Sequence, residues 1–230
     1  MRQLFLFFTL FYTVTALFAQ KESTLNELYL GAGGGVVFSN IDFMPSVEQT
    51  QHMGILGGIS LKYITEKHLG LITELNYVQK GWTEAFEPDS EFSYQRTLSY
   101  LEMPFLTHIY FGNKTRFIIN AGPKISYLLG ENQQMSSALA DDLAIRREAD
   151  PEAPIGVQYG SIDEMKRFDY GLLGGLGLEL KTDIGDLNLE GRYYFGLADL
   201  FTNRRSENAY FSRSAHRIIE GKLTWYFKIL

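Results

Sequence analysis

The stretch that most restricts this chain is GDLNLEGRYYFGL, residues 185–197. Taken every second residue, it separates into two sets. Leu187, Leu189, Gly191, Tyr193, Phe195 and Leu197 form one; Asp186, Asn188, Glu190, Arg192 and Tyr194 form the other. Successive side chains of a strand point to opposite faces, whereas a helix would mix the two sets. The segment therefore reads as a strand with one oily and one ionic face.

Seven further segments are strand candidates on the same grounds: 28–38, 54–64, 68–81, 97–111, 116–130, 168–181 and 216–229. Each reaches the roughly 9–11 residues that a tilted strand needs to cross a bilayer. Short connections at 65–67, 112–115 and 182–184 alternate with long ones at 39–53, 82–96, 131–167 and 201–215. In an up-and-down sheet alternate connections lie at the same end. All the long loops thus share one end, and both termini join the short turns at the other. Outer-membrane barrels have this asymmetry, with an even strand number. The expectation is an all-β fold, an eight-stranded antiparallel up-and-down transmembrane β-barrel.

Residues 1–19 stand apart. Arg2 precedes an apolar run from Leu4 to Phe18, followed by Ala19, the layout of a signal peptide. Cleavage after Ala19 leaves 20–230 as one barrel domain, exported to the outer membrane of a Gram-negative bacterium. The formal net charge is -6 with no basic cluster, so no nucleic-acid partner is expected. With no cysteine, disulfides, thiolate catalysis, cysteine metal sites and a lipidated N-terminal cysteine are excluded.

Two barrels fit the alternation. A soluble lipocalin-like barrel holds its apolar face inside, around a ligand; a membrane barrel turns that face to lipid. Loop asymmetry favours the membrane barrel. So do aromatics near strand ends on the apolar face: Phe111, Tyr127, Tyr193, Trp225 and Phe227. The polar face adds charges of both signs at similar heights: Glu74, Glu102, Lys124, Arg192, Glu220 and Lys222. Folding about the 112–115 turn brings Glu102 nearly opposite Lys124. Inside a narrow barrel such charges must pair, because an unpaired buried charge costs on the order of 3–5 kcal/mol. A buried ionic layer across the lumen is expected from these six residues.

ELNYVQKGW (74–82), SYLEMPFLTHIYFG (99–112), INAGPKISYLLG (119–130), FDYGLLGGLGLEL (168–180) and LEGRYYFGLADLF (189–201) follow in order along the chain. Together they resemble the porin-family, PorT-like small outer-membrane β-barrel proteins of Gram-negative bacteria, over essentially the whole mature chain. That resemblance implies an eight-stranded outer-membrane barrel and little about activity. The PorT branch is associated with type IX protein secretion, which makes an accessory role there an alternative to a structural, binding or assembly-related one.

For chemistry, His52, His68, His108 and His216 include no pair with metal-site spacing, and no cofactor is expected. Ser212, Ser214 and His216 lie at the outer rim, with Glu220 four residues below, yet their spacing does not compel a nucleophile–base pair, so no enzyme is expected. A small channel is a further alternative. Eight strands leave an interior just wide enough for side chains to fill, with Tyr100, Tyr110, Tyr194 and Tyr226 among the fillers. Inner-face glycines such as Gly31 and Gly175 are read as relieving curvature strain. In loop 131–167 the helix formers of Ala138–Ala149 predict a solvated helical turn over the barrel mouth. In loop 82–96, Trp82, Phe86, Phe92 and Tyr94 are expected on the rim or at lipid headgroups. The expected partners are outer-membrane lipid, the barrel-assembly machinery during biogenesis, and a protein at the outer loops.

Overall fold

A computed structural model describes residues 26–151, 156–201 and 210–230; the expected signal peptide, 1–19, lies outside them. Among the described residues nine strands and one α-helix occur in the order β1 (Glu27–Met44), β2 (Gln49–Thr50), β3 (His52–Glu66), β4 (Leu69–Glu84), β5 (Tyr94–Gly112), β6 (Thr115–Met135), α1 (Ser137–Ala149), β7 (Phe168–Thr182), β8 (Gly185–Asp199) and β9 (Arg213–Lys228). β2 is a two-residue strip on β4. The other eight pair antiparallel, each with its sequence neighbour, and β9 returns to β1 from Tyr29↔Lys228 to Met44↔Arg213. The ring is closed and up-and-down. Closure leaves no edge in the membrane, where an unpaired backbone group would have no partner.

The short connections are two-residue turns, 67–68, 113–114 and 183–184. Positive φ at His68, Gly112 and Gly185 supplies the left-handed backbone that such hairpins need. Gly31 serves differently. A Cβ there would stand 2.6 Å from the Tyr226 ring, and one at Gly175 would stand 2.8 Å from the Arg192 side chain. These glycines are the floor on which large inward side chains of the next strand lie.

The apolar set of β8 (Leu187, Leu189, Tyr193, Phe195, Leu197) is exposed on the outside of the ring, and Asp186, Asn188, Glu190, Arg192 and Tyr194 are buried inside. This is the reverse of a soluble ligand-binding barrel. In β9 the outward run Ile219, Gly221, Leu223, Trp225 and Phe227 gives way to Arg217 and Arg213; in β1 Phe38 gives way to Asn40 and Asp42. The oily belt ends there, but the strands do not.

Above the belt the two faces exchange chemistry. Ile41, Phe43, Trp82, Tyr94 and Leu98 point inward and are buried, while Asn40, Asp42, Thr83, Gln95 and Thr97 face out. The upper strands thus form a water-facing collar around an apolar core, the ordinary pattern of a soluble protein. This overturns the expected boundaries: segment 39–53 is mostly strand, and β5 and β6 begin and end beyond 97 and 130. The physical reason is that the outward apolar signal stops at the lipid boundary, whereas backbone pairing continues past it.

Candidate functional site

The barrel interior holds charges in three tiers. Nearest the short turns, Lys62 on β3 meets Glu179 on β7 at 2.5 Å and Asp186 on β8 at 3.5 Å, and Arg116 meets Glu179 at 3.0 Å. The Lys62 ammonium also stands over the Tyr29 and Tyr226 rings, where the negative face of each ring attracts a cation.

In the middle tier the Arg192 guanidinium grips both oxygens of Glu74, at 2.9 and 2.8 Å, and donates to Glu190 at 2.7 Å. Lys222 donates to Glu74 at 2.7 Å and to Asn76 at 3.2 Å. Asn120 bridges from Glu190 to His108, whose Nδ1 lies 2.7 Å from the Asn120 carbonyl oxygen. Two carboxylates face two cations, and the planar fork of Arg192 suits bidentate pairing.

In the upper tier Lys80 donates to Glu102 and Asp169, both at 2.8 Å, and Lys124 meets Glu102 at 2.6 Å and Glu220 at 3.0 Å. Both ammonium groups lie on the Tyr194 ring, and Lys80 also on Tyr100. The six charges expected at one height therefore fall into two trios: Glu74, Arg192 and Lys222 below; Glu102, Lys124 and Glu220 above. Sequence reasoning did not place Lys62, Lys80, Asp169, Glu179, Asp186 or Glu190 in the layer. Asp186 and Glu190 stand in the polar set of β8, and alternation within their own strands puts Lys80, Asp169 and Glu179 on the same inward face, so parity is the available signal. For Lys62 the signal was a single charge inside an otherwise apolar strand.

Over these tiers sits an apolar plug. Ile41, Phe43, Trp82, Tyr94, Leu98, Tyr100, Leu128, Phe201 and Phe211 form one buried cluster, which Leu139 and Leu143 of α1 join from above. Phe43 meets Trp82 edge-on, with ring centroids 5.5 Å apart. Helix α1 is capped by Ser136, whose side chain accepts the Leu139 N–H. So α1 is more than the solvated turn expected: one face is core. Trp82 and Tyr94 are likewise core residues rather than rim or headgroup contacts. At the edge of the plug the Tyr159 hydroxyl donates to Glu84 at 2.5 Å. Burial, reinforced by that carboxylate, raises the Tyr159 phenol above its ordinary range.

Of the rim residues considered for catalysis, Ser214 Oγ accepts the Phe201 N–H at 3.0 Å, and His216 Nε2 lies 3.4 Å from the Tyr100 hydroxyl. Both are engaged in holding the interior together. Among the described residues no group of His, Asp and Glu could hold a metal ion.

A closed eight-stranded ring, oily outside and ionic within, defines a transmembrane barrel of the outer-membrane class. A family model described as "Outer membrane protein beta-barrel domain" matches residues 18–202, and the chain belongs to that family. The protein is thus an integral outer-membrane barrel. No curated protein sequence matches it. Among solved structures it is similar to Neisserial surface protein A, at 13% identity over 87% of this chain and 97% of that one, with a TM-score of 0.44. It is also similar to OprG from Pseudomonas aeruginosa, at 12% identity over 88% and 96%, with a TM-score of 0.49. Ail, the attachment invasion locus protein of Yersinia pestis, is similar at 10% identity over 88% and 99%, with a TM-score of 0.41.

Proposed function

We propose that this protein is a closed, non-conducting barrel that anchors and displays a folded collar outside the membrane, with a structural or binding role carried by its outer loops. One observation carries the reading: the lumen is obstructed twice, by three tiers of paired charges and by an apolar plug stacked on them. An ion crossing it would have to displace side chains such as Lys80 and Arg192 from buried carboxylates. Breaking a buried pair costs on the order of 3–5 kcal/mol, and the plug presents chiefly aromatic and aliphatic side chains in place of water. In the same reading residues 1–19 are removed on export, 20–230 form the barrel, and the barrel-assembly machinery inserts it.

The test is conductance. The refolded protein is placed in planar bilayers in potassium chloride, and its insertion is confirmed by heat-modifiable migration on SDS gels. No steady conductance above that of the bare bilayer is expected. Discrete, reproducible openings from the folded protein would replace this reading with a small channel.

A further inference from the structure

At the long-loop end, the segment 85–93 and the tips of β4, β5 and β6 enclose a recess of about 380 Å3, within the ~300–1,000 Å3 usual for small-molecule sites. Its lining is unlike the rest of the collar. Phe86 and Phe92 stand edge-on with centroids 5.9 Å apart and are half-buried. Beside them are the Glu87 carboxylate and the amides of Gln95 and Gln134, while the Glu84 carboxylate turns inward to the Tyr159 hydroxyl. Among the described residues no lysine or arginine lines it.

The recess is preformed by backbone contacts. Ser90 N–H closes a turn onto the Glu87 carbonyl at 2.9 Å, and Phe92 N–H donates to Ser90 Oγ at 3.1 Å. Ser93 and Ser136 exchange hydrogen bonds, tying the segment to the start of α1. Ala85 N–H is fixed to the Glu48 carbonyl. A ligand entering would find these walls already ordered, which lowers the entropic cost of binding.

We infer that this recess is a binding site for a neutral or amino-bearing saccharide unit. A pyranose presents a C–H face and an edge of vicinal hydroxyls. The negative faces of Phe86 and Phe92 suit the C–H face. The Gln95 and Gln134 amides each supply donors and an acceptor for adjacent hydroxyls, and the Glu87 carboxylate accepts from hydroxyl or ammonium groups. The Glu87 carboxylate, with no described lysine or arginine in the lining, turns away sulfated or phosphorylated sugars. The site lies above the oily belt, at the height where the sugars of the outer leaflet stand.

The experiment uses the full-length protein refolded in detergent, with saturation-transfer NMR against three probes: N,N′-diacetylchitobiose, the corresponding free-amine disaccharide and a sulfated disaccharide. Signal transfer to the first two and none to the third is expected. Phe92→Ala should weaken both at least tenfold while keeping heat-modifiable migration. Glu87→Gln should weaken the free-amine sugar selectively. Binding of none of the probes by heat-modifiable protein, preference for the sulfated one, or affinity unchanged in both Phe86→Ala and Phe92→Ala would overturn the inference. The recess belongs to the collar, so this result and the conductance result are independent of each other.

Discussion

Arg192 is the residue on which the interior most depends. It satisfies both oxygens of Glu74 and one of Glu190 while itself fully enclosed. Replacing it with Met removes the cation and leaves two carboxylates facing Lys222 alone. The expected cost is about 3–5 kcal/mol, read as a lower urea midpoint for loss of heat-modifiable migration in detergent. Adding Glu190→Gln to Arg192→Met should recover part of that loss, because Glu74 then keeps Lys222 as its partner. Equal stability of Arg192→Met and the parent would show that the tier is solvated rather than buried. At this scale parity in the sequence already assigned Glu74, Arg192 and Lys222 to the inside. Their division from Glu102, Lys124 and Glu220 was not readable. Tilted, staggered strands bring together residues whose distances from the turns differ.

The element with the least ordinary backbone is β5. Pro104 on β5 and Pro123 on β6 have no N–H to give. Between Thr73↔Phe105 and Asn76↔Glu102 the β4–β5 pairing is interrupted, and between Pro104↔Lys124 and Thr107↔Ala121 the β5–β6 pairing is interrupted as well, with the register unchanged across each gap. Met103–Leu106 is therefore held less continuously on both sides than the flanking ladder. Amide hydrogens of Met103, Phe105 and Leu106 should exchange faster than those of Ile109–Phe111, and Pro104→Val should slow Met103 and Phe105; hydrogen-exchange mass spectrometry of the protein in nanodiscs measures both. Uniform protection along β5 would mean that side-chain packing alone closes the gap. The LEMPF and AGPK stretches were visible in the sequence, but the facing of their prolines across one seam needed the register. Helix α1 shows the complementary limit. Its extent was readable from the helix formers of Ala138–Ala149, yet Leu139 and Leu143 became core only because inward aromatics rise to meet them.

For the whole molecule, the division between lipid and interior sets the expected response to charge. Leu223 sits at the centre of the outward run Ile219–Phe227 and is exposed on the barrel wall. Leu223→Arg should destabilise the folded protein in bilayers by about 2–4 kcal/mol, whereas a charge near the interface costs ~0–1. Gln133→Arg, on the exposed part of β6, should leave it within about 0.5 kcal/mol. Reversible unfolding in large vesicles distinguishes them, and equal effects would contradict the position of the belt. The sequence by itself determined the strand number, the up-and-down order, the end that carries the long loops and the face of each strand that meets lipid. These follow from local alternation and connection length, which each short window carries independently. Only the tertiary structure decided where the oily belt stops, that the strands continue above it with their faces exchanged, which charges meet across the lumen, and that Trp82, Tyr94 and α1 seal the top. Those features depend on the stagger between strands far apart in the chain, and closing the ring sets that stagger.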